Sequence, residues 1–167
     1  MRRRGFTLLE IVVVLALVGL MGAIAIPWFA RSARQSRLSS LARELAAQVQ
    51  VARSEATSRR QISAGPPPVV VRFAGIRIDS ATRYTVFADA DADPANGEID
   101  VDIVDWLARA PNTHARIVQP APGSRIRFRQ DGTTTAVIVL IDDVGLGQRR
   151  EVRINGVGQA TVVSAMQ

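Results

Sequence analysis

The feature that most constrains this chain is an uncharged apolar run close to its start. The twenty residues of the range 11–30 include no charged side chain. A helix rises about 1.5 Å per residue, so this run can cross a bilayer hydrocarbon core about 30 Å thick. Three arginines, Arg2, Arg3 and Arg4, precede the run, and one carboxylate, Glu10, lies directly before it. The sequence therefore predicts a membrane-spanning helix with an acid where a simple anchor would avoid one.

The residues around the start of this run form a recognisable motif. The range 2–10 reads Arg-Arg-Arg-Gly-Phe-Thr-Leu-Leu-Glu, and the apolar run is longer than the 7 to 15 residues or so of a secretory signal peptide. This arrangement resembles the class III signal of type IV pilins and type II secretion pseudopilins. The resemblance implies that a prepilin peptidase cleaves between Gly5 and Phe6, and that Phe6 is then N-methylated. It also implies that Glu10 pairs with the amine of a neighbouring subunit's Phe6, whereas snorkelling of Glu10 to the membrane interface is the alternative.

The helical pattern continues beyond the apolar run. Pro27 removes a backbone donor, which predicts a bend, and the resemblance places Pro27 with Phe6 and Glu10 among the assembly residues. Beyond it, apolar residues recur at spacings of three and four, namely Leu38, Leu41, Ala42, Leu45, Val49, Ala52 and Ala56. This periodicity predicts that the helix continues to about Arg60 and buries one face.

The remainder of the chain has the pattern of a sheet. Residues 62–68 include one glycine and three prolines and predict a linker. After it, short β-branched runs are separated by Gly, Pro, Asn and Asp. They predict strands at 69–73, 83–88, 115–119, 124–129, 134–141, 149–155 and 159–163. The predicted fold class is α+β, with a long N-terminal helix packed on an antiparallel β-sheet or two-sheet sandwich.

Three further segments narrow the resemblance. Residues 52–56 read Ala-Arg-Ser-Glu-Ala, residues 128–133 read Phe-Arg-Gln-Asp-Gly-Thr, and the range 150–162 reads as a closing strand pair. These segments are similar to the GspH/FimT group of minor pseudopilins, so the resemblance implies a pilin-like fold. The implied boundaries are a leader at 1–5, a transmembrane and assembly helix at 6–30, its amphipathic half at 31–61, a linker at 62–68 and a β domain at 69–167.

The same resemblance implies what the chain does. It indicates a structural subunit of the periplasmic pseudopilus of a type II secretion system, with a FimT-like minor type IV pilin of pilus assembly or DNA uptake as the alternative. It implies a single pass through the inner membrane, with the β domain in the periplasm. The implied partners are other major and minor pseudopilins, the prepilin peptidase and the inner-membrane assembly platform, and no cofactor is implied.

An acidic segment in the middle of the chain is a candidate calcium site. Asp89, Asp91, Asp93 and Asp100 imitate the spacing of a twelve-residue calcium loop. The imitation is imperfect, because Pro94 stands where the sharp turn of that loop needs glycine. The alternative is a solvated acidic hairpin that turns at Asn96 and Gly97.

The basic residues of the chain are candidates for a nucleic-acid interface. The net charge of +6 falls to +3 without the three leader arginines, and residues 31–60 hold seven arginines against two glutamates. From residue 65 onward, eleven arginines face twelve acids, so the predicted β domain lacks a large basic footprint. FimT-type proteins of DNA uptake are associated with a C-terminal Gly-Arg-x-Arg motif, and both arginines are absent at the matching range 158–161. Arg149, Arg150 and Arg153 remain as candidate DNA contacts, but nucleic-acid binding is the less favoured interpretation.

Enzymatic readings find little support in the sequence. There is no cysteine, and His114 is the single histidine. A triad of His114 with Ser124 and an acid has nothing to fix its geometry, so a solvated loop histidine is the favoured interpretation. Trp106 and Leu107 are interpreted as core or partner-facing residues. We therefore expect a structural protein and no catalysis.

Overall fold

The computed structural model describes residues 8–58, 73–89, 99–109 and 114–165. Its elements in chain order are α1 (Leu8–Thr57), β1 (Phe73–Ile78), β2 (Arg83–Asp89), β3 (Ile99–Asp105), α2 (Trp106–Arg109), β4 (Ala115–Gln119), β5 (Arg125–Arg129), β6 (Val137–Asp143), β7 (Gln148–Ile154) and β8 (Ala160–Ala165). The chain divides into two compact units, Met1–Arg37 and Leu38–Gln167. The predicted linker at 62–68 lies outside the described residues.

The long helix α1 runs without interruption for 50 residues and includes Pro27. The predicted continuation of the helix beyond Pro27 is therefore confirmed, while the bend at that residue stays a prediction. Near the end of α1, the hydroxyls of Ser54, Thr57 and Ser58 each donate to the backbone carbonyl three residues earlier, at 2.8 to 3.1 Å. Such side-chain bonds compete with the backbone ladder near the end of the helix at Thr57, and Arg60, the predicted end, lies outside the described residues.

The predicted apolar stripe of α1 forms part of the core. Six of its seven residues are buried, namely Leu38, Ala42, Leu45, Val49, Ala52 and Ala56, and the seventh, Leu41, is partly buried. Burial of a leucine or valine side chain contributes about 1.5 to 3 kcal/mol each. The small alanines between them allow the helix axis to approach the strands closely. The stripe therefore fixes the second half of α1 within the unit Leu38–Gln167.

Within the described residues, eight strands form two antiparallel four-stranded sheets. The order is β3-β2-β1-β5 in the first sheet and β4-β6-β7-β8 in the second. Side chains of both sheets join the α1 stripe in one hydrophobic core, including Ile76, Val86 and Phe128 from the first sheet and Val139 and Val152 from the second. The predicted α+β fold, with a long helix packed on antiparallel sheets, is confirmed.

The strand predictions were accurate in the second half of the sheet region and incomplete in the first. Of the predicted strand at 69–73, residues 69–72 lie outside the described residues, and Phe73 belongs to β1, which runs on to Ile78. Strand β3 and helix α2 were not predicted. β3 carries Asp100, Asp102 and Asp105, which resemble a loop in composition. At the edge of its sheet, however, β3 exposes acids to solvent or pairs them, as Asp102 does by accepting from Gln48 Nε2 at 3.0 Å.

Candidate functional site

The first part of α1 presents apolar side chains to its surroundings. Large hydrophobic residues between Leu8 and Phe29 are 50% to 81% exposed. Water disfavours apolar surface of this extent, so such a surface normally meets lipid or another protein. By length and composition, the helix is able to cross a membrane. This exposed segment is the candidate surface for both insertion and assembly.

Glu10 lies in the first turn of the described helix. Its side chain is exposed, and it stands among exposed leucines, isoleucine and valines. A carboxylate near the start of a helix also interacts favourably with the helix dipole. Gly5 and Phe6, the predicted processing residues, lie outside the described residues. The structure therefore places Glu10 on the apolar surface and leaves its pairing with Phe6 as a prediction.

The sequence motifs at 52–56, 128–133 and 150–162 meet at one place. We call this place the motif junction and define it as Arg53, Gly132 and Gly158. Both glycines have positive φ angles, +76° and +75°. A Cβ on Gly132 would lie 2.9 Å from Arg53 Nε, and one on Gly158 would lie 3.0 Å from Arg53 Cδ. The side chain of Arg53 therefore packs against two turns that only glycine fits without strain.

The two turns of the motif junction are held by local hydrogen bonds. Asp131 Oδ1 accepts from the backbone N–H and the hydroxyl of Thr133, at 2.9 and 2.6 Å, and these bonds lower the pKa of Asp131. In the other turn, the Gly158 N–H donates to the Asn155 carbonyl at 2.9 Å. The Thr134 N–H donates to the Gly156 carbonyl at 3.0 Å, which joins the turns directly. Sequence alone identified each turn but not their meeting point on α1.

The two described ends of the acidic segment each lie beside an arginine. Asp89 is fully buried, and its Oδ2 lies 3.9 Å from Arg127 Nη2. Asp100 Oδ1 lies 3.2 Å from Arg77 Nη2. Asp91 and Asp93 lie outside the described residues, and among the described ones no group of three or more potential metal ligands occurs. Because β2 and β3 pair as neighbours, Asp89 and Asp100 are brought near each other, as the calcium and hairpin interpretations both require.

The three candidate DNA-contacting arginines do not form one cationic surface. Arg149 makes two hydrogen bonds to the carboxylate of Asp142, at 2.6 and 2.9 Å, and they lower the pKa of Asp142. Arg153 bonds Glu151 at 2.9 Å. Arg150 instead reaches α1, where its Nε donates to Ser39 Oγ at 3.4 Å. Two of the three charges are compensated, and the third is directed toward the helix.

A cluster beneath α1 was not predicted from the sequence. Trp106 and Tyr84 are buried and pack edge to face, with ring centroids 5.9 Å apart. Burial and the nearby charge of Glu44 raise the pKa of Tyr84. At the end of α2, the Arg109 guanidinium donates to the carboxylate of Glu44 on α1.

One local sequence signal, a helix-capping acid, could have predicted the helix of this cluster. Asp105 Oδ1 accepts from the backbone N–H groups of Leu107 and Ala108, at 2.9 and 3.2 Å. An acid in this position caps a helix start, so Asp105 before Trp106 was the available sign of α2. Trp106 is a core residue, as one of the two sequence interpretations held, and Leu107 and His114 are exposed.

Comparison with known proteins gives two family matches and one structural match. The model of the Type II transport protein GspH family matches residues 41–158, and that of the prokaryotic N-terminal methylation motif matches residues 1–26. Curated proteins give no match. Among solved structures, the minor pseudopilin EpsH of the Type 2 Secretion System of Vibrio cholerae has a similar fold. The two chains are 14% identical with a TM-score of 0.51, and the match covers 75% of this chain and 95% of that one.

Proposed function

The chain belongs to the GspH family of type II transport proteins, and we propose that it acts as a minor pseudopilin in the pseudopilus of a type II secretion system. The match over residues 41–158 carries this proposal. The N-terminal methylation motif and the exposed apolar half of α1 support it, because a pseudopilin needs both. The chain is membrane-anchored through this helix and assembles with other pseudopilins, and its family and fold are those of structural subunits.

Assembly requires that the apolar half of α1 exchange lipid for protein. In the membrane, this surface meets acyl chains, and in the pseudopilus it meets the helices of neighbouring subunits. The two environments are similarly apolar, so the exchange costs little hydrophobic free energy. Glu10 makes the membrane and the pseudopilus differ in free energy. A carboxylate within lipid is costly, and pairing with the amine of a neighbour's Phe6 lowers that cost.

We place the β domain in the periplasm and the leader in the cytoplasm, where the prepilin peptidase cleaves after Gly5. The absence of cysteine from the sequence permits a direct test. Ser164 is exposed on β8, so Ser164→Cys should react with a membrane-impermeant maleimide once the outer membrane is permeabilised. Leu20→Cys, within the membrane segment, serves as the unreactive control. Labelling of Ser164→Cys only after lysis of the inner membrane contradicts this orientation.

The function is tested by deleting the gene in the bacterium that encodes it. Proteins exported by its type II system are expected to accumulate in the periplasm, and the wild-type chain on a plasmid should restore export. DNA uptake is measured in the same strains. Normal export together with lost uptake would favour the FimT-like function over the proposed one. Because Arg149 and Arg153 pair with acids and Arg150 is directed toward α1, the three candidate DNA-contacting arginines do not favour that alternative.

A further inference from the structure

A band of arginines follows the apolar half of α1. Arg31, Arg34 and Arg37 are exposed, and the aromatic residues Trp28 and Phe29, each 72% exposed, directly precede them. The sequence has no acid between Glu10 and Glu44, so α1 itself carries no carboxylate within one helical turn of any of the three. We call Arg31, Arg34 and Arg37 the arginine band. All three belong to the unit Met1–Arg37.

The position of the arginine band along α1 matches the headgroup layer of a bilayer. The uncharged range 11–30 spans about 30 Å as a helix, which is the thickness of the hydrocarbon core. The headgroup layer on each side is roughly 5 to 8 Å thick. Arg31 and Arg34 enter this layer directly, and Arg37, about 9 Å beyond Arg31, reaches back with its long side chain. Trp28 and Phe29 lie at the boundary, where aromatic residues are favoured.

The chemistry of the arginine band suits phosphate. A guanidinium group binds phosphate oxygens through two parallel hydrogen bonds, and three of them provide several such contacts. Successive members are three residues apart, so they spread over about 120° around the helix axis. A lipid layer surrounds the helix and can engage all three, whereas a single neighbouring subunit would cover one side.

The band is also unexpected for a simple anchor. Basic residues favour the cytoplasmic side of a membrane, and Arg2, Arg3 and Arg4 already satisfy that preference. Three more arginines on the far side oppose it. A ligand that is anionic and present in that leaflet removes the conflict.

We propose that Arg31, Arg34 and Arg37 bind the phosphate groups of anionic phospholipids in the periplasmic leaflet and hold the subunit at a fixed depth before assembly. This inference rests on the proposed function, because it requires the chain to span the membrane with the β domain outside. Extraction into the pseudopilus then requires these lipids to dissociate.

The test uses the full chain reconstituted in bilayers of phosphatidylcholine and phosphatidylglycerol. Electron paramagnetic resonance of spin-labelled lipids measures how strongly the protein prefers phosphatidylglycerol. Each arginine near an anionic surface contributes roughly fivefold. The variant Arg31→Gln, Arg34→Gln, Arg37→Gln should therefore lose most of the far-leaflet preference. High salt should reduce the wild-type preference and change the variant less.

Two matched variants serve as controls. Substitution of the same three residues by lysine keeps the charge and should retain much of the preference. Substitution of Arg43, Arg116 and Arg129 by glutamine removes the same charge from exposed positions of the other unit and should leave the preference unchanged. Circular dichroism confirms the helix content of each variant.

The outcomes separate this inference from the proposed function. If alkaline extraction removes the wild-type chain from the bilayers, both are wrong. If the chain is inserted and the glutamine variant keeps the wild-type lipid preference, only the lipid inference is wrong. Equal lipid preference combined with poor recovery of the glutamine variant in filaments would assign the arginine band to acids of a neighbouring subunit.

Discussion

Arg53 of α1 and Gly158 of the turn between β7 and β8 are in such close contact that a Cβ on Gly158 would lie 3.0 Å from Arg53 Cδ. The same Cβ would lie 2.6 Å from the carbonyl oxygen of Gly132. An arginine side chain can move, but a backbone carbonyl within a hydrogen-bonded turn cannot move without cost. The contact therefore joins α1 to two turns of the β region.

Gly158→Ala should destabilise the protein more than a positive φ angle alone explains. Gly123 provides the control, because its φ is +86° and a Cβ there would have nothing within 4 Å. We expect about 1 kcal/mol for Gly123→Ala, and at least twice that for Gly158→Ala because of the added clash. Urea denaturation of the full chain in detergent measures both. Equal losses for the two variants would show that the motif junction accommodates a methyl group.

The alkaline stability of the protein should depend on Tyr84. The sequence has one tyrosine and no lysine or cysteine, so no other side chain titrates between about pH 9 and 12. Burial raises the pKa of Tyr84 above its ordinary value of 10.0. Above pH 10, the Tyr84 hydroxyl loses its proton in the unfolded chain and keeps it in the folded chain. The free energy of unfolding should then fall by about 1.4 kcal/mol per pH unit.

Tyr84→Phe is the matched variant for this pH dependence. The Tyr84 hydroxyl is buried without a hydrogen-bond partner among the described residues, so its removal should change stability little at neutral pH. The variant should lack the alkaline decline that begins near pH 10. Tyrosinate absorbance of the wild type should appear only as the protein unfolds. Ionisation of Tyr84 in the folded protein near pH 10 would disprove the expected shift.

Gly5→Ala should block cleavage of the leader. The mature chain is expected to begin at a methylated Phe6, and intact-protein mass spectrometry distinguishes it from the uncleaved chain. Gly19→Ala is the control, since a Cβ at Gly19 would meet nothing within 4 Å and its processing should be normal. A Gly5→Ala chain of normal mature mass would refute the class III signal.

Glu10→Leu should permit insertion and cleavage but impair assembly. Removal of the carboxylate favours the membrane, because a charge near the hydrocarbon core is costly, while the predicted partner of Phe6 is lost. Recovery of the subunit in sheared filaments measures assembly, and membrane fractionation measures insertion. Glu10→Asp should give intermediate recovery. Wild-type recovery of Glu10→Leu would show that Glu10 only snorkels to the interface.

Calcium binding by the acidic segment stays a prediction and has a direct measurement. Calorimetric titration of the full chain with calcium should give a signal that disappears in Asp91→Asn, Asp93→Asn. Magnesium serves as the control, since it requires near-octahedral geometry and loses its bound water reluctantly. If millimolar calcium produces no heat of binding, the calcium site is rejected and the interpretation as an acidic hairpin is retained.

The sequence predicted most of the fold because its periodicities are strong. The stripe from Leu38 to Ala56 has clear helical spacing, and β4 matches its predicted bounds at both ends. β3 was missed although its apolar and acidic residues alternate as in a strand, because its acids resemble a loop in composition, and the part of β1 after Phe73 was missed because Gly75 and Arg77 interrupt its apolar pattern. Their roles depend on partners distant in the chain, such as Gln48 for Asp102. The motif junction was also missed because it depends on residues distant in the chain. No local sequence pattern indicates that two turns meet at Arg53.

The buried stripe of α1 also has a mechanical consequence. Leu38, Ala42, Leu45, Val49, Ala52 and Ala56 lie along five turns of the helix and pack in the common core. A pull directed along the helix axis must displace all six side chains together rather than one after another. Force applied to the helix during filament growth is thus transmitted to the strands through side-chain packing, and it bypasses the covalent connection at 59–72.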